Sequence, residues 1–251
     1  MALNRDNQQV YIPASTDVRG TAASRLGVRR PFIPPDISTG TGAALATNVE
    51  YMKLHNVTGD GNCFFNAISF LCTGTENNSA LLRAKTVAKY LQLKDAFVEC
   101  GEGSFYNDRL NRDTKNRHNY IGNKGVWAES RDMYVMATVL NIVILCAAIS
   151  RNGNLTWMPY YPITPGYTPY RQDPQFKHTP AIYIANTGMG DNIIPVGEAN
   201  HFRAVVGFRG AIPGAPAVDA TRVARPIKTV RNPTMKHTNV NIFTTVFIIK
   251  H

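Results

Sequence analysis

The sequence predicts an α+β domain in which a small mixed sheet is flanked by helices, with irregular extensions at both ends of the chain. Between residues 49 and 209, segments with helical spacing of apolar residues are interspersed with short β-branched runs. Outside this region, Pro, Thr, Ala, Gly and basic residues predominate, which is typical of irregular chain. We therefore divide the 251 residues into an irregular N-terminal arm (1–48), a central domain (49–209) and a basic C-terminal extension (210–251).

Composition bounds the class of protein. The chain is 44% hydrophobic and 10% aromatic, which is enough to bury a core. No apolar run reaches the about 18 residues that a membrane span needs. We expect no metal or other cofactor, because the four cysteines lack metal-ligand spacing; of these, Cys72 and Cys146 stand in apolar stretches and are predicted to be buried. The N-terminus shows no secretory signal, so a cytoplasmic or nuclear protein with reduced thiols is expected.

The first half of the domain is predicted to contain a strand, a turn and two helices. Residues 51–57 form a strand-like run. Residues 59–62 are typical of a turn, since glycine accepts positive φ and Asp or Asn can bond its own backbone. Helical spacing of apolar residues then begins at Cys63. A second helix over 80–91 carries one apolar face, formed by Leu81, Ala84, Ala88 and Leu91.

The second half of the domain is predicted to contain one more helix and four strands. Each strand is predicted from an apolar or β-branched run bounded by turn residues. In order, these elements are a helix from Trp127, a strand at 141–149, a hairpin turn at 152–153, a strand at 155–158, a surface loop at 159–179 and strands at 181–184 and 201–208. We expect the strands at 181–184 and 201–208 to lie beside the strand at 141–149. The cysteine helix should pack on one side of this sheet, with His201 at the edge of the sheet.

Cys63 stands in the first turn of its predicted helix, where a cysteine can act as a nucleophile. Unpaired N–H groups and the positive end of the helix dipole favour the thiolate, which predicts a pKa below the free value of about 8.5. The same N–H groups can stabilise an oxyanion. The alternative is that Cys63 is a small apolar residue on a core-facing helix, the usual place of a cysteine outside a disulfide.

A thiolate nucleophile needs a base, and His201 is the best candidate because it opens an apolar strand after a turn-rich segment. A cysteine early and a histidine late is also the chain order of papain-like proteases. For a lone histidine, the alternative is a surface or structural role. The other histidines lie in polar, loop or tail settings that favour catalysis less: His55, His118, His178, His237 and His251.

Three motifs, in this order, resemble the ovarian-tumour (OTU) family of cysteine proteases. Asp60-Gly61-Asn62-Cys63 is similar to the family's Asp-Gly-x-Cys turn and helix, and Asn200-His201-Phe202 is similar to its late Asn-His-aromatic strand. Between them, Gly125-Val126-Trp127 resembles the start of the middle helix, with Asp132 where an acidic residue is usual. The resemblance covers roughly residues 49 to 209 and implies a papain-like OTU fold.

The resemblance also implies a role for each motif residue. Cys63 would be the nucleophile, His201 the general base and later the acid, and Asp60 a support for the loop that forms the oxyanion hole. Many family members carry Asp or Asn two residues after the histidine, whereas this chain has Arg203, which cannot accept the imidazole N–H and opposes an imidazolium. The orienting residue is therefore open among Asn200, Asp60, Glu198 and a residue of the N-terminal segment.

Two functions of different classes follow. The resemblance implies a thiol hydrolase that cleaves the bond after the C-terminal Gly of ubiquitin or a ubiquitin-like modifier, a deubiquitinase whose partners are ubiquitin conjugates. The alternative is a catalytically weak or inactive OTU-like binding module that acts through its basic extensions, and Arg203 favours it. The formal net charge is +10, and residues 210–251 contain six basic residues and one acidic residue. This extension can contact nucleic acid or an anionic surface weakly, or it can be solvated without a specific partner.

Overall fold

The structure, a computed structural model, describes residues 10–28, 35–42, 45, 51–93, 121–149, 155–163, 179–187 and 201–209. These residues all lie in the first of two units into which the chain divides, Met1–Val218 and Asp219–His251. Within the described ranges the helices are α1 (Thr16–Arg25), α2 (Cys63–Thr73), α3 (Ser79–Gln92) and α4 (Ser130–Leu140). The strands are β1 (Met52–His55), β2 (Val143–Ile149), β3 (Leu155–Tyr160), β4 (Ala181–Thr187) and β5 (His201–Phe208).

The strands form one mixed sheet in the order β1-β5-β4-β2-β3. Strands β2 and β4 are parallel, and the other neighbouring pairs are antiparallel. The predicted class, a small mixed sheet flanked by helices, is confirmed. Strand β5 is an interior strand, because β1 pairs with its residues 204–208. His201 lies beyond this pairing, at the start of β5, and its strand partner is Thr187 of β4.

Helix α2 is the central helix of the layer that covers one face of the sheet. It packs against β4 and β5, while α1 and α3 pack against α2, and α4 packs against α1 and α3. Ten of its eleven residues are buried, because neighbours cover the helix on most sides. The Phe64 and Phe202 rings, each one residue from the start of its element, lie 5.6 Å apart between centroids. This contact places the beginning of α2 against the beginning of β5.

The N-terminal arm contains a helix, so the expectation that residues 1–48 are irregular is wrong for α1. Local signals explain the helix: the Ser15 side chain caps it by accepting a hydrogen bond from Val18 N at 3.3 Å, and Arg25 lies in its last turn. The Arg25 guanidinium also donates to Leu140 O at 2.9 Å, which ties α1 to the end of α4. The pattern is easily missed because α1 buries mainly alanines and one arginine.

The arm also covers the other face of the sheet. Tyr11 is fully buried, and its ring lies 4.6 Å from that of Phe208 and 4.5 Å from that of Tyr183, between centroids. Its hydroxyl donates to Ile37 O at 2.7 Å, and Pro13 forms a β-bridge with Ala181 at the start of β4. The arm therefore supplies part of a second apolar core on this face.

Most predicted element boundaries agree with the structure within a few residues, and one needs correction. Helix α4 begins at Ser130 rather than at Trp127, because Glu129 and Asp132 form a capping box that fixes the helix start. Cys72 and Cys146 are buried, as predicted. No helix in the described part of the chain is long and apolar enough to cross a bilayer. Predictions for the hairpin turn at 152–153, for most of the loop at 159–179 and for the extension at 210–251 lie outside the described residues.

Candidate active site

The turn before α2 is shaped by the carboxylate of Asp60. Its Oδ1 accepts hydrogen bonds from Asn62 N at 3.0 Å and Asn66 Nδ2 at 3.1 Å, and its Oδ2 accepts one from Asn62 Nδ2 at 2.7 Å. Desolvation within the turn would alone raise the pKa of Asp60, an exposed residue, but the hydrogen bonds from Asn62 and Asn66 outweigh it and hold the pKa below the ordinary value. Asp60 is therefore an ionised residue that holds the chain just ahead of Cys63.

Gly61 allows two chain segments to meet at this turn. Its φ is +79°, in the region that favours glycine. A Cβ atom at this position would lie 2.5 Å from Gly125 O, so no larger residue fits without moving the segment that precedes α4. Gly125 N in turn donates to Asn62 Oδ1 at 3.3 Å. The turn is thus fixed both by the Asp60 carboxylate and by its contact with the segment at Gly125.

Cys63 is the first residue of α2, as predicted, and only 4% of its surface is exposed. A hydrogen bond of 2.8 Å runs from Asn66 N to Asn62 O at the start of the helix. The N–H groups that precede Asn66 in α2 therefore point out of the helix end. The sequence analysis predicts that these backbone N–H groups stabilise an oxyanion.

Burial raises the pKa of the Cys63 thiol above its ordinary value. Backbone N–H groups of Phe202, Phe64 and Cys63 itself favour the thiolate and oppose this effect, while the Asp60 carboxylate adds to it. The prediction that the helix end lowers this pKa is wrong, because removal of the thiol from water outweighs the N–H groups around it. Burial therefore favours the thiol over the thiolate.

The structure brings Cys63 to the strand that carries His201. Phe202, whose N–H acts on the Cys63 sulfur, is the residue after His201 on β5. His201 is 6% exposed, and its carbonyl accepts a hydrogen bond from Thr187 Oγ1 at 3.4 Å. No hydrogen bond joins its imidazole to another residue in the described ranges. Two candidate orienting residues, Asn200 and Glu198, lie outside those ranges.

The surroundings of His201 favour its neutral form. Burial lowers the pKa of His201, and the charge of Arg203 lowers it further, whereas the carboxylate of Glu76 acts in the opposite direction. Arg203 is itself 6% exposed and lies on the same face of β5, since side chains alternate along a strand. A neutral imidazole can accept a proton, as a general base must.

Glu76 is a residue that sequence reasoning missed. It lies in the connection between α2 and α3, and its Oε2 accepts a hydrogen bond from Thr58 N at 2.9 Å. Asp60 uses both carboxylate oxygens within its own turn, so Glu76 is the carboxylate whose charge reaches His201 among the described residues. No periodicity or motif marks Glu76 in the sequence, because its loop position depends on how the two helices pack.

Asp132 and Trp127, both from the middle motif, have different surroundings in the structure. Asp132 is fully buried, and it accepts hydrogen bonds from Tyr90 Oη at 2.7 Å and Glu129 N at 2.8 Å. It therefore stabilises the start of α4. Trp127 is 56% exposed and follows Val126, whose carbonyl accepts a hydrogen bond from Arg83 Nη2 at 2.6 Å.

A helix-terminal thiol against a histidine-bearing strand is the layout of the papain-like class of thiol hydrolases. Residues 55–121 match a family model described as the OTU domain of vertnin. The match covers the turn, Cys63 and helix α3, and it ends before the strand that carries His201. It confirms the OTU resemblance that the sequence motifs indicated. The comparison with curated protein sequences gave no match.

Several solved OTU domains are similar to the chain. The viral OTU domain protease from Farallon virus is 18% identical with a TM-score of 0.40, covering 65% of this chain and 89% of that one. The OTUD1 OTU domain is 21% identical with a TM-score of 0.41, covering 61% and 83% respectively. The Hazara virus OTU, solved bound to ubiquitin, is 12% identical with a TM-score of 0.36, covering 65% and 87%.

Proposed function

We propose that the chain is a cysteine-type deubiquitinase. It cleaves the bond after the C-terminal Gly of ubiquitin or a ubiquitin-like modifier, with Cys63 as nucleophile and His201 as general base. One observation carries the proposal: the Cys63 sulfur at the start of α2 lies against the backbone N–H of Phe202, directly after His201. The OTU match over residues 55–121 supports the same interpretation of the cysteine turn.

The chemistry follows from the resting protonation states. The raised pKa of Cys63 and the lowered pKa of His201 favour a neutral thiol beside a neutral imidazole. His201 removes the thiol proton as the sulfur attacks the scissile carbonyl, and the N–H groups at the start of α2 stabilise the oxyanion. The imidazolium then gives its proton to the leaving amine. Water hydrolyses the thioester and frees the modifier's C-terminus.

The burial of Cys63 supports a substrate with little bulk at its scissile end. Only 4% of the Cys63 surface is exposed, so little space is open to the acyl group that reaches the sulfur. Glycine has no side chain to exclude. A polypeptide tail that ends in glycine, such as that of ubiquitin, is the chemical class that fits this access.

The test is hydrolysis of ubiquitin carrying a fluorogenic amide at its C-terminus. We expect turnover by the parent chain and its loss in Cys63→Ala and in His201→Ala. Cys72→Ala is the matched control, because Cys72 lies on the same helix and is fully buried away from the helix start. Turnover that persists in Cys63→Ala contradicts the assignment of the nucleophile, whereas Cys72→Ala should keep parent-like turnover.

A second function, an OTU-like binding module with weak or no activity, is favoured by Arg203. This cation lies two residues after His201 and lowers its pKa, so it disfavours the imidazolium that must form during acyl transfer. For such a module, we expect the parent chain to bind ubiquitin in a calorimetric titration and to give no hydrolysis of the fluorogenic ubiquitin amide. Hydrolysis by the parent chain that is lost in Cys63→Ala contradicts this second function.

A further inference from the structure

Arg83 of α3 reaches both segments that meet at the cysteine turn. Only 2% of its surface is exposed. Its Nε donates to Asn62 Oδ1 at 2.7 Å, and its Nη2 donates to Gly61 O at 2.9 Å. Nη1 donates to Ile121 O at 2.7 Å, and Nη2 also donates to Val126 O at 2.6 Å. One guanidinium thus joins the residues just before Cys63 to the chain that leads to α4.

The acceptors of Arg83 lie next to the atoms that perform the proposed chemistry. Asn62 is the N-cap of α2, and Gly61 is one residue further from Cys63. Oxygen atoms of both residues accept hydrogen bonds from the guanidinium. Their orientation therefore depends on α3 and not on the turn alone. The Arg83 guanidinium also lies 4.3 Å from the centroid of the Phe65 ring, in the first turn of α2.

We propose that Arg83 is a positioning residue for Cys63. It fixes the Gly61–Asn62 segment so that the N–H groups at the start of α2 face the sulfur and the oxyanion that forms there. A planar fork with five donors can satisfy four acceptors in fixed directions, whereas a lysine ammonium cannot reproduce this geometry. This inference rests on the proposed function for its kinetic readout, but it also has a readout that needs no ubiquitin.

The alternative is that Arg83 only stabilises the fold. Arg19 provides the matched control, because it is an arginine that is also 2% exposed and bonded to backbone carbonyls. Its Nη1 donates to Leu71 O at 3.1 Å and Pro35 O at 2.9 Å, near the other end of α2. Arg83→Lys and Arg19→Lys therefore each remove a buried guanidinium that bonds to α2 or to its N-terminal turn from a neighbouring helix. Only Arg83→Lys changes the cysteine turn.

The first readout is steady-state hydrolysis of the fluorogenic ubiquitin amide, with thermal unfolding of each variant measured alongside. We expect Arg83→Lys to lower kcat by about 10-fold to 100-fold with KM changed by less than about 3-fold, because the oxyanion donors are displaced rather than removed, and removal of one typically costs about 100-fold to 1,000-fold. Arg19→Lys should keep kcat within about 2-fold at a temperature where both variants are folded. Equal kcat losses in the two variants would overturn the proposal.

The second readout is the pH dependence of Cys63 alkylation by iodoacetamide, followed by mass spectrometry. Backbone N–H groups of Phe64 and Cys63 favour the thiolate, so displacing them shifts the alkylation curve to higher pH. We expect this shift in Arg83→Lys and not in Arg19→Lys. Unshifted curves in both variants contradict the proposal. A shift in Arg83→Lys with no ubiquitin hydrolysis by the parent chain supports the positioning role and contradicts the deubiquitinase instead.

Asn62→Ala provides a second variant if Arg83→Lys does not fold by circular dichroism. It removes the oxygen that receives Arg83 Nε and Gly125 N, and the amide that donates to Asp60, while leaving the three carbonyl acceptors of Arg83 in place. The same fall in kcat and the same shift in alkylation are expected. Parent-like values of both in folded Asn62→Ala overturn the proposal.

Discussion

His201 and Arg203 lie two residues apart on the same face of β5, and the charge of the arginine lowers the pKa of the histidine. Arg203 stands where the resemblance of the sequence motifs led us to expect an acceptor for the imidazole. The positive charge of Arg203 favours the neutral imidazole of His201 over the imidazolium. A base is thus preserved at rest, while the imidazolium intermediate is made less stable.

Arg203→Asn is predicted to raise the pKa of His201, because it removes a nearby positive charge that disfavours the imidazolium. In a plot of kcat/KM against pH, activity falls as the pH drops through this pKa. The acidic limb should therefore move to higher pH. Arg209→Asn, at an exposed arginine beyond the other end of β5, is the control. A limb that moves to lower pH in Arg203→Asn contradicts the electrostatic account.

Glu76→Gln is predicted to shift the same limb in the opposite direction. The carboxylate raises the pKa of His201, so its neutralisation lowers that pKa and extends activity to lower pH. Glutamine keeps an oxygen that can accept the hydrogen bond from Thr58 N, which separates charge from loop structure. The control is Asp17→Asn on α1. Identical pH profiles for Glu76→Gln and the parent chain would remove Glu76 from the site.

Gly61→Ala is predicted to damage the cysteine turn more than an equally strained glycine substitution elsewhere. At Gly27, where φ is +84°, an added Cβ would meet no atom within 4 Å, so Gly27→Ala bears only the backbone cost of about 1 to 2 kcal/mol. Gly61→Ala adds a collision with Gly125 O. Urea unfolding should show a larger loss for Gly61→Ala, and hydrolysis should fall only in that variant. Equal stability and activity in the two variants contradict the close approach.

The N-terminal arm is predicted to be part of the folded domain. Tyr11→Ala removes a fully buried ring that contacts Phe208 and Tyr183, and such a truncation typically costs about 3 to 5 kcal/mol. Val18→Ala, at a position that is 36% exposed, should change the free energy of unfolding by less than about 0.5 kcal/mol. Chemical denaturation measures both. A parent-like midpoint for Tyr11→Ala would show that the arm does not stabilise the domain.

Local patterns in the sequence predicted the elements that carry the candidate site. Helical spacing located α2 and α3, and the turn residues placed Cys63 at a helix start. Two features that the sequence did not reveal depend on three-dimensional packing. The pKa of Cys63 depends on burial by neighbours that periodicity does not show, and the interior position of β5 depends on β1, which pairs with its residues 204–208 from far along the chain.

The residues that support the site were harder to predict than the site itself. Arg83 occupies the buried side of α3, where an apolar residue is expected, and its acceptors come from two distant segments. Glu76 acts from a connection between helices that has no regular pattern. Helix α1 carried detectable signals in Ser15 and Arg25, but its buried face is mainly alanine and thus lacks an apolar stripe.

The most direct test of Cys63 as the nucleophile is covalent capture by ubiquitin with a thiol-reactive group at its C-terminus, followed by peptide mapping in a mass spectrometer. We expect one adduct on Cys63 in the parent chain, none in Cys63→Ala, and slower capture in His201→Ala. An adduct on another cysteine, or none in the folded parent chain, would contradict the proposed active site.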